Sequence, residues 1–187
     1  MWNLKDKTVV ITGATNGIGK AAALELAKQG PKLLLTFRNQ ELADNLLAEI
    51  KTAAPDVSVE LIYCDFSMQS SIRECSKEII ASQDKIDVLI NNAGVVNTSY
   101  HETSEGIENT FAVNHLGYFL FTNLLLNKMK GPEESRIINV SSAAHSFVKD
   151  MNWENINFKD DFGQGMQVYG QSKLANLHFT RHLAIKL

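Results

Sequence analysis

Three prolines, two cysteines and two tryptophans are all that the 187 residues offer of these types. Two cysteines cannot build a disulfide framework, and the spacing of Cys64 and Cys75 matches no metal knuckle. Cys64 closes an apolar run, and both are expected as reduced thiols. Each proline stands where a helical pattern stops, at Pro31, Pro55 and Pro132. The sequence also lacks an excess of positive charge. Its formal charge is −3, with no basic stripe, which removes the electrostatic footprint of nucleic-acid and anionic-membrane binding. Long hydrophobic runs are missing as well. Tyr118 to Phe121 and Leu124 to Leu126 fall far short of the ~20 residues of a membrane span. Near the start, Lys5, Asp6 and Lys7 precede Val9 to Ile11, a run too short for a signal-peptide core, so the cytoplasm is the expected location. Without a route to secretion, Asn97-Thr98-Ser99 and Asn139-Val140-Ser141 are chance matches to the glycosylation pattern.

What the sequence does have is 44% hydrophobic residues in a regular order. Short β-branched runs alternate with longer segments of helical period. The expected elements are a strand at 8–11, a helix at 17–29 stopped by Gly30-Pro31, a strand at 32–36, a helix at 40–54, and a strand at 57–63. A helix at 67–82, capped by Ser67 or Ser70, then leads to a strand at 88–90 and a long helix at 105–130 stopped by Gly131-Pro132. A strand at 136–140, a polar excursion at 145–167 over the active face, and a helix at 169–187 complete the series. Such alternation predicts right-handed crossovers and a doubly wound parallel sheet of the Rossmann-like kind, an α/β fold in three α/β/α layers. No repeat, low-complexity tract or linker divides 1–187, which is expected to be one nucleotide-binding domain.

In such sheets ligands bind beyond the carboxyl ends of the strands. The segment Thr12-Gly13-Ala14-Thr15-Asn16-Gly17-Ile18-Gly19 follows a strand and opens a helix, the context that gives a glycine loop meaning. Gly13 would allow the tight turn. Gly17 and Gly19 would admit a pyrophosphate and close packing of helix on sheet, with the helix-start N–H groups facing the negative charge. The spacing Gly-x3-Gly-x-Gly carries one residue more than G-x-G-x-x-G, and glycines needed only for a turn are the plainer alternative.

The residue ending the second strand sets the preference for an adenosine ribose. An acidic side chain would accept from a 2′-hydroxyl, whereas this sequence has Thr36-Phe37-Arg38-Asn39. Arg38 suits a 2′-phosphate, which favours NADP(H) over NAD(H); an ordinary solvated arginine is the alternative. Asp65, after the third strand, is placed to accept from an adenine amino group or to cap a turn.

Tyr169 and Lys173 are four apart on a helix and share a face. A free phenol titrates near 10. A neighbouring cation favours the phenolate, as general acid–base chemistry at neutral pH requires. Tyr-x3-Lys alone is common by chance, but here it follows Ser141-Ser142 at the end of the fifth strand, where a hydroxyl can polarise a carbonyl. Other constellations are weaker. His178 and His182 lack a third metal ligand. His145 is near enough to Ser142 in sequence to touch a substrate, but no Gly-x-Ser-x-Gly elbow surrounds Ser142, which disfavours a hydrolase.

Together, in this order, residues 12–19, Asn91-Asn92-Ala93-Gly94, Asn114, Ile138-Asn139-Val140-Ser141-Ser142 and Tyr169-x3-Lys173 resemble the short-chain dehydrogenase/reductase family, over nearly the whole chain. The wide gap between Ser142 and Tyr169 and the run Tyr169-Gly-Gln-Ser-Lys-Leu-Ala-Asn176 are similar to its retinol dehydrogenase-like branch. The resemblance implies Tyr169 as acid/base, Lys173 binding the nicotinamide ribose and tuning Tyr169, and Ser142 orienting substrate. It implies that Asn114 holds a water in the proton relay and that Asn91, Asn92, Ala93 and Gly94 support the cofactor and central strand. It implies a homo-oligomer too, built on the helices of Asn114 and Tyr169. Asn16 is not the basic residue some NADP-preferring members carry before the second glycine.

The expected activity is hydride transfer between NADP(H) and an alcohol or carbonyl on an apolar, retinoid-, steroid- or xenobiotic-type small molecule. Family members usually continue into a further strand, a Pro-Gly segment and a substrate lid. A fold without these C-terminal strands would leave the fifth strand as an apolar edge carrying Ile137, Ile138 and Val140. The alternative is therefore a truncated, non-catalytic form that binds nucleotide or a partner. Sugar-nucleotide epimerase chemistry is disfavoured by the glycine spacing.

Overall fold

The computed structural model describes residues 3–129 and 135–187. Five strands, β1 (Thr8–Ile11), β2 (Lys32–Phe37), β3 (Ser58–Tyr63), β4 (Val88–Asn91) and β5 (Arg136–Asn139), form one sheet in the order β3-β2-β1-β4-β5. Every pairing is parallel, with Val10 beside Leu34 and Leu89, and Ile90 beside Ile138. The chain moves outward from β1 to β3, returns to β4 and moves outward again. The reversal between β1 and β4 opens a crevice at their carboxyl ends.

Parallel strands covered on both faces read as unbroken apolar runs, which is why β2 is Lys-Leu-Leu-Leu-Thr-Phe and buried from Leu33 onward. Alternate side chains feed two cores. Val10, Leu34, Ile62 and Leu89 pack with Phe121 and Leu125 under α3 (Gln69–Ser82) and α5 (Gly117–Met129). Val9, Ile11, Leu33 and Leu35 pack with Ala23, Leu46 and Ile50 of α1 (Gly17–Ala27) and α2 (Gln40–Ala53) on the other face. Each fully buried Leu or Ile contributes about 1.5–3 kcal/mol, so both layers are needed to stabilise the strands.

Several boundaries depart from expectation, among them the start of α6 at Met166 rather than Tyr169. Helix α3 begins at Gln69 and is capped by neither Ser67 nor Ser70, because Ser67 gives its N–H and hydroxyl to Asp65 Oδ1 at 2.8 and 2.7 Å. Residues 105–108 are not helical: Gly106, at φ +72°, belongs to a turn that ends at Glu108. The Glu108 carboxylate accepts the N–H groups of Thr110 and Phe111 at 2.8 and 2.6 Å, so it caps α4 (Asn109–Phe111) rather than lying inside a helix. A π-helical turn, Ala112–Leu116, then separates α4 from α5. Lys130 and the stop at Gly131-Pro132 lie outside the described residues.

The excursion after β5 starts with a 3₁₀ turn (Ala143–Phe147) and ends at Gly165, φ +76°, before α6 (Met166–Lys186). It flanks the crevice rather than covering it. Asn157 ties it to Glu108 N–H and Gly106 C=O, and Gln171 ties it to Asp150 and Asn152. Strand β5 pairs with β4 and stands at the edge of the sheet, with Ile138 46% exposed. Among the described residues no helix is long and apolar enough to cross a membrane.

Candidate active site

A groove of about 610 Å³ runs along the carboxyl ends of the strands. That size is ordinary for a ligand cleft. Its first wall is the loop from β1 to α1, where Gly13, Thr15, Asn16, Gly17 and Ile18 face the open space. Gly13 sits at φ +63°, and a Cβ there would lie 2.7 Å from Ala93 Cα. Gly17 has φ +52° with nothing within 4 Å of the place a Cβ would take, so its backbone is bare toward the groove. Asn16 caps α1, accepting the Gly17 N–H at 2.8 Å. Gly19 lies off the groove: a Cβ would meet Gly13 O at 2.3 Å and Asn92 Nδ2 at 2.4 Å, so this glycine serves helix–sheet packing.

The loop is braced from β4. Thr12 Oγ1 accepts the N–H groups of Asn92 and Ala93 at 2.8 and 3.0 Å, and Asn92 Nδ2 donates to the carbonyls of Thr12 and Gly13, both at 3.0 Å. Asn92, Ala93 and Gly94 line the groove. Asn91 does not. Its fully buried amide donates to Thr122 Oγ1 and Asn139 Oδ1, at 2.8 and 2.7 Å, and so joins β4 to α5 and β5.

At one end of the groove stand Arg38, exposed and without a carboxylate partner among the described residues, and Asp65. Asp65 Oδ1 is committed to Ser67, so the turn-capping role is real and sits beside the groove-lining one. Cys64 also lines this end. The neighbouring Cys75 thiol, together with burial, pushes the Cys64 thiol up and keeps it protonated.

At the other end are Ser141, Ser142, Tyr169 and Lys173. Ser141 Oγ donates to the Lys173 carbonyl at 2.9 Å, anchoring α6 to the end of β5. Ser142 Oγ accepts the Ala144 N–H at 3.2 Å. Lys173 Nζ, 3.1 Å from the Val140 carbonyl, lies 5.4 Å from the centre of the Tyr169 ring and 5.9 Å from that of Tyr118. Burial lowers the Lys173 ammonium to about 8. Burial, and then Tyr169, push the Tyr118 phenol up. Asn114 is fully buried beneath the groove, its Oδ1 on Val95 N–H at 2.8 Å and its Nδ2 on Val95 O and Ser172 Oγ at 2.9 and 3.1 Å.

The structure turns several other side chains away from the groove. His145 Nδ1 lies 2.7 Å from the Ser142 carbonyl, a contact that makes this nitrogen the donor. His178 and His182 are exposed on α6, and no group of three or more metal-ligating side chains occurs among the described residues. Asn97 Nδ2 is buried and Asn139 Nδ2 donates to Thr180, so neither acceptor pattern presents a free amide. Sequence reasoning missed the apolar lining at Val95, Val96 and Val113. Those residues look like core, and only their places next to Gly94 and Asn114 could have marked them.

The short chain dehydrogenase family model matches residues 7–154. The chain belongs to the short-chain dehydrogenase family. Human retinol dehydrogenase 13 is 41% identical over 185 residues, covering 97% of this chain and 54% of that protein. Human retinol dehydrogenase 11 is 42% identical over 184 residues, covering 98% and 57%. The chain thus spans about half the length of the curated relatives it matches. Among solved structures, an uncharacterized protein from Mycobacterium paratuberculosis superposes with a TM-score of 0.84 at 36% identity, over 99% of this chain and 64% of that one. A metagenomic short-chain oxidoreductase in complex with NADP superposes with a TM-score of 0.80 at 27% identity, over 100% and 78%. The retinol dehydrogenase-like resemblance and the doubly wound fold are both borne out.

Proposed function

We propose that this short-chain dehydrogenase binds NADP(H) and transfers hydride between the nicotinamide and a carbonyl or alcohol group of an apolar small molecule. One observation carries the reading: a single groove joins the glycine loop and Arg38 to Tyr169 and Lys173. The residues fit a dinucleotide. The bare backbone at Gly17 and the N-terminus of α1 suit a pyrophosphate, and Asp65, which lines the groove, offers an acceptor suited to an adenine amino group. Arg38 offers two parallel donors to a 2′-phosphate, where an NAD-selective site would place a carboxylate.

A reduced nicotinamide held there would supply hydride to the substrate carbonyl carbon. Tyr169 then gives its phenol proton to the carbonyl oxygen, completing the alcohol, and takes a proton back in the reverse direction. The Lys173 ammonium beside the ring stabilises negative charge developing on the phenol oxygen. The Ser142 hydroxyl orients the carbonyl. Asn114 holds the Val95 backbone on both its N–H and C=O, which fixes the apolar wall. Val95, Val96 and Val113 give that wall the character suited to a retinoid-, steroid- or xenobiotic-type substrate, in keeping with the names of the curated relatives.

A second reading is nucleotide binding without turnover, with the exposed Ile138 on β5 available to a partner. Titration with NADPH and NADH, followed by turnover with apolar ketones and aldehydes, separates the two. NADPH binding with turnover that Tyr169→Phe abolishes supports the reductase. Binding without turnover supports the second reading, and binding of neither nucleotide overturns both.

A further inference from the structure

The π-helical turn at Ala112–Leu116 is the one place where the helix below the groove leaves regular geometry. A π turn interrupts the i to i−4 ladder and frees backbone groups, and such turns concentrate at functional sites. Here the Gly117 N–H reaches back to the Ala112 carbonyl. The Asn114 carbonyl accepts from a side chain, Asn176 Nδ2, at 2.9 Å. Asn176 is fully buried on α6, and its Oδ1 lies 3.0 Å from His115 Nδ1. Because Nδ2 donates to Asn114, Oδ1 is the acceptor, and His115 is held with its proton on Nδ1. Both ends of one amide therefore grip two consecutive residues of the π turn.

On α6, Tyr169, Ser172, Lys173 and Asn176 follow at i, i+3, i+4 and i+7 and so share a face. Tyr169 and Lys173 turn to the groove, while Ser172 and Asn176 turn to Asn114. Ser172 accepts from Asn114 Nδ2 and donates to the Tyr169 carbonyl at 2.7 Å. The acid–base pair and the Val95 wall are thereby referred to one another through Asn114.

We infer that Asn176 is a positioning residue: it locks the π turn to α6, and through that turn sets Asn114 and Val95 against Tyr169 and Lys173. The inference deepens the reductase reading and rests on it for its kinetic arm. Its test compares Asn176→Ala and Asn176→Asp with Thr180→Val, in the full chain. Asn176→Asp keeps an acceptor for His115 but has no donor for the Asn114 carbonyl. Thr180→Val removes both bonds of the nearby Thr180 hydroxyl, the one it donates to the Asn176 carbonyl and the one it accepts from Asn139 Nδ2, and leaves the clamp intact.

Two readouts are taken: hydrogen exchange of the backbone amides of 112–118, and kcat and KM with NADPH and an apolar ketone. The expected result is faster exchange in both Asn176 variants, with kcat reduced about 10- to 100-fold and KM for NADPH nearly unchanged, while Thr180→Val alters neither. Unchanged exchange overturns the clamp. Faster exchange with kcat held within about two-fold overturns the positioning role, as does an equal loss in Thr180→Val. If the parent chain binds NADPH but turns over nothing, the reductase reading fails, and exchange alone decides the clamp.

Discussion

Lys173 reaches the carbonyl of Val140 across the end of the sheet, with a 3.1 Å hydrogen bond from the ammonium of a residue that is 3% exposed. That bond only partly replaces the lost hydration, and burial lowers the group to about 8 from its ordinary 10.5. Between these values the unfolded chain holds more protons than the folded one, so the cofactor-free protein gains stability as pH rises from about 8 toward 10.5. Urea unfolding of Lys173→Met against the parent over this window should show the slope disappear, with the variant the more stable below pH 8. Turnover should fall by at least about 10²-fold in the same variant.

His115, between Phe111 and Phe179, gives a second limb of the profile, of the same sign but on the acid side. Burial lowers it from 6.5, outweighing the Asn176 bond. His178, Arg181 and His182 of α6 face the same surface hollow and are exposed. A histidine kept neutral by burial contributes stability that is present above pH 6.5 and lost as pH falls below it. Thermal unfolding of His115→Phe between pH 7 and 5 should lose part of that acid sensitivity. Identical pH slopes in variant and parent would exclude His115 as its source.

Two glycines of one loop should separate stability from binding. Gly13→Ala places a Cβ 2.7 Å from Ala93 Cα at φ +63° and is expected to cost more than about 2 kcal/mol of unfolding free energy. Gly17→Ala meets open space and bears only the left-handed backbone penalty, about 1–2 kcal/mol. Because its methyl would occupy the phosphate approach, NADPH affinity should fall much further than stability does. Chemical denaturation and nicotinamide fluorescence on both variants check the contrast.

Arg38 should set the cofactor preference. A charge-assisted pair to a phosphate is worth about 1.5–3 kcal/mol, so Arg38→Ala should weaken NADPH about 10- to 100-fold. NADH, lacking the phosphate, should be nearly unaffected. Equal loss for both nucleotides would assign Arg38 to general electrostatics.

Much of this was legible because each signal was local. The alternation of elements, the glycine loop and the i, i+4 pair Tyr169 and Lys173 depend on residues near in sequence, and all appear as expected. Signals that needed a distant partner were misread. Glu105 to Lys130 scanned as one helix because nothing local shows that Glu108 would spend its carboxylate on Thr110 and Phe111. Asn91 was expected to support the cofactor and central strand, and its partners Thr122 and Asn139, 31 and 48 residues away, make it a brace of that strand.

By itself, then, the sequence determined the order of strands and helices, the glycine-rich turn and the shared face of Tyr169 and Lys173, because period, glycine and side-chain chemistry act over a few residues. Only the tertiary structure decided which asparagines line the groove and which brace, how the π turn is gripped by Asn176, and which apolar residues wall the groove. Those outcomes depend on buried polar groups finding partners from elements far apart in the chain, and no spacing rule encodes that pairing.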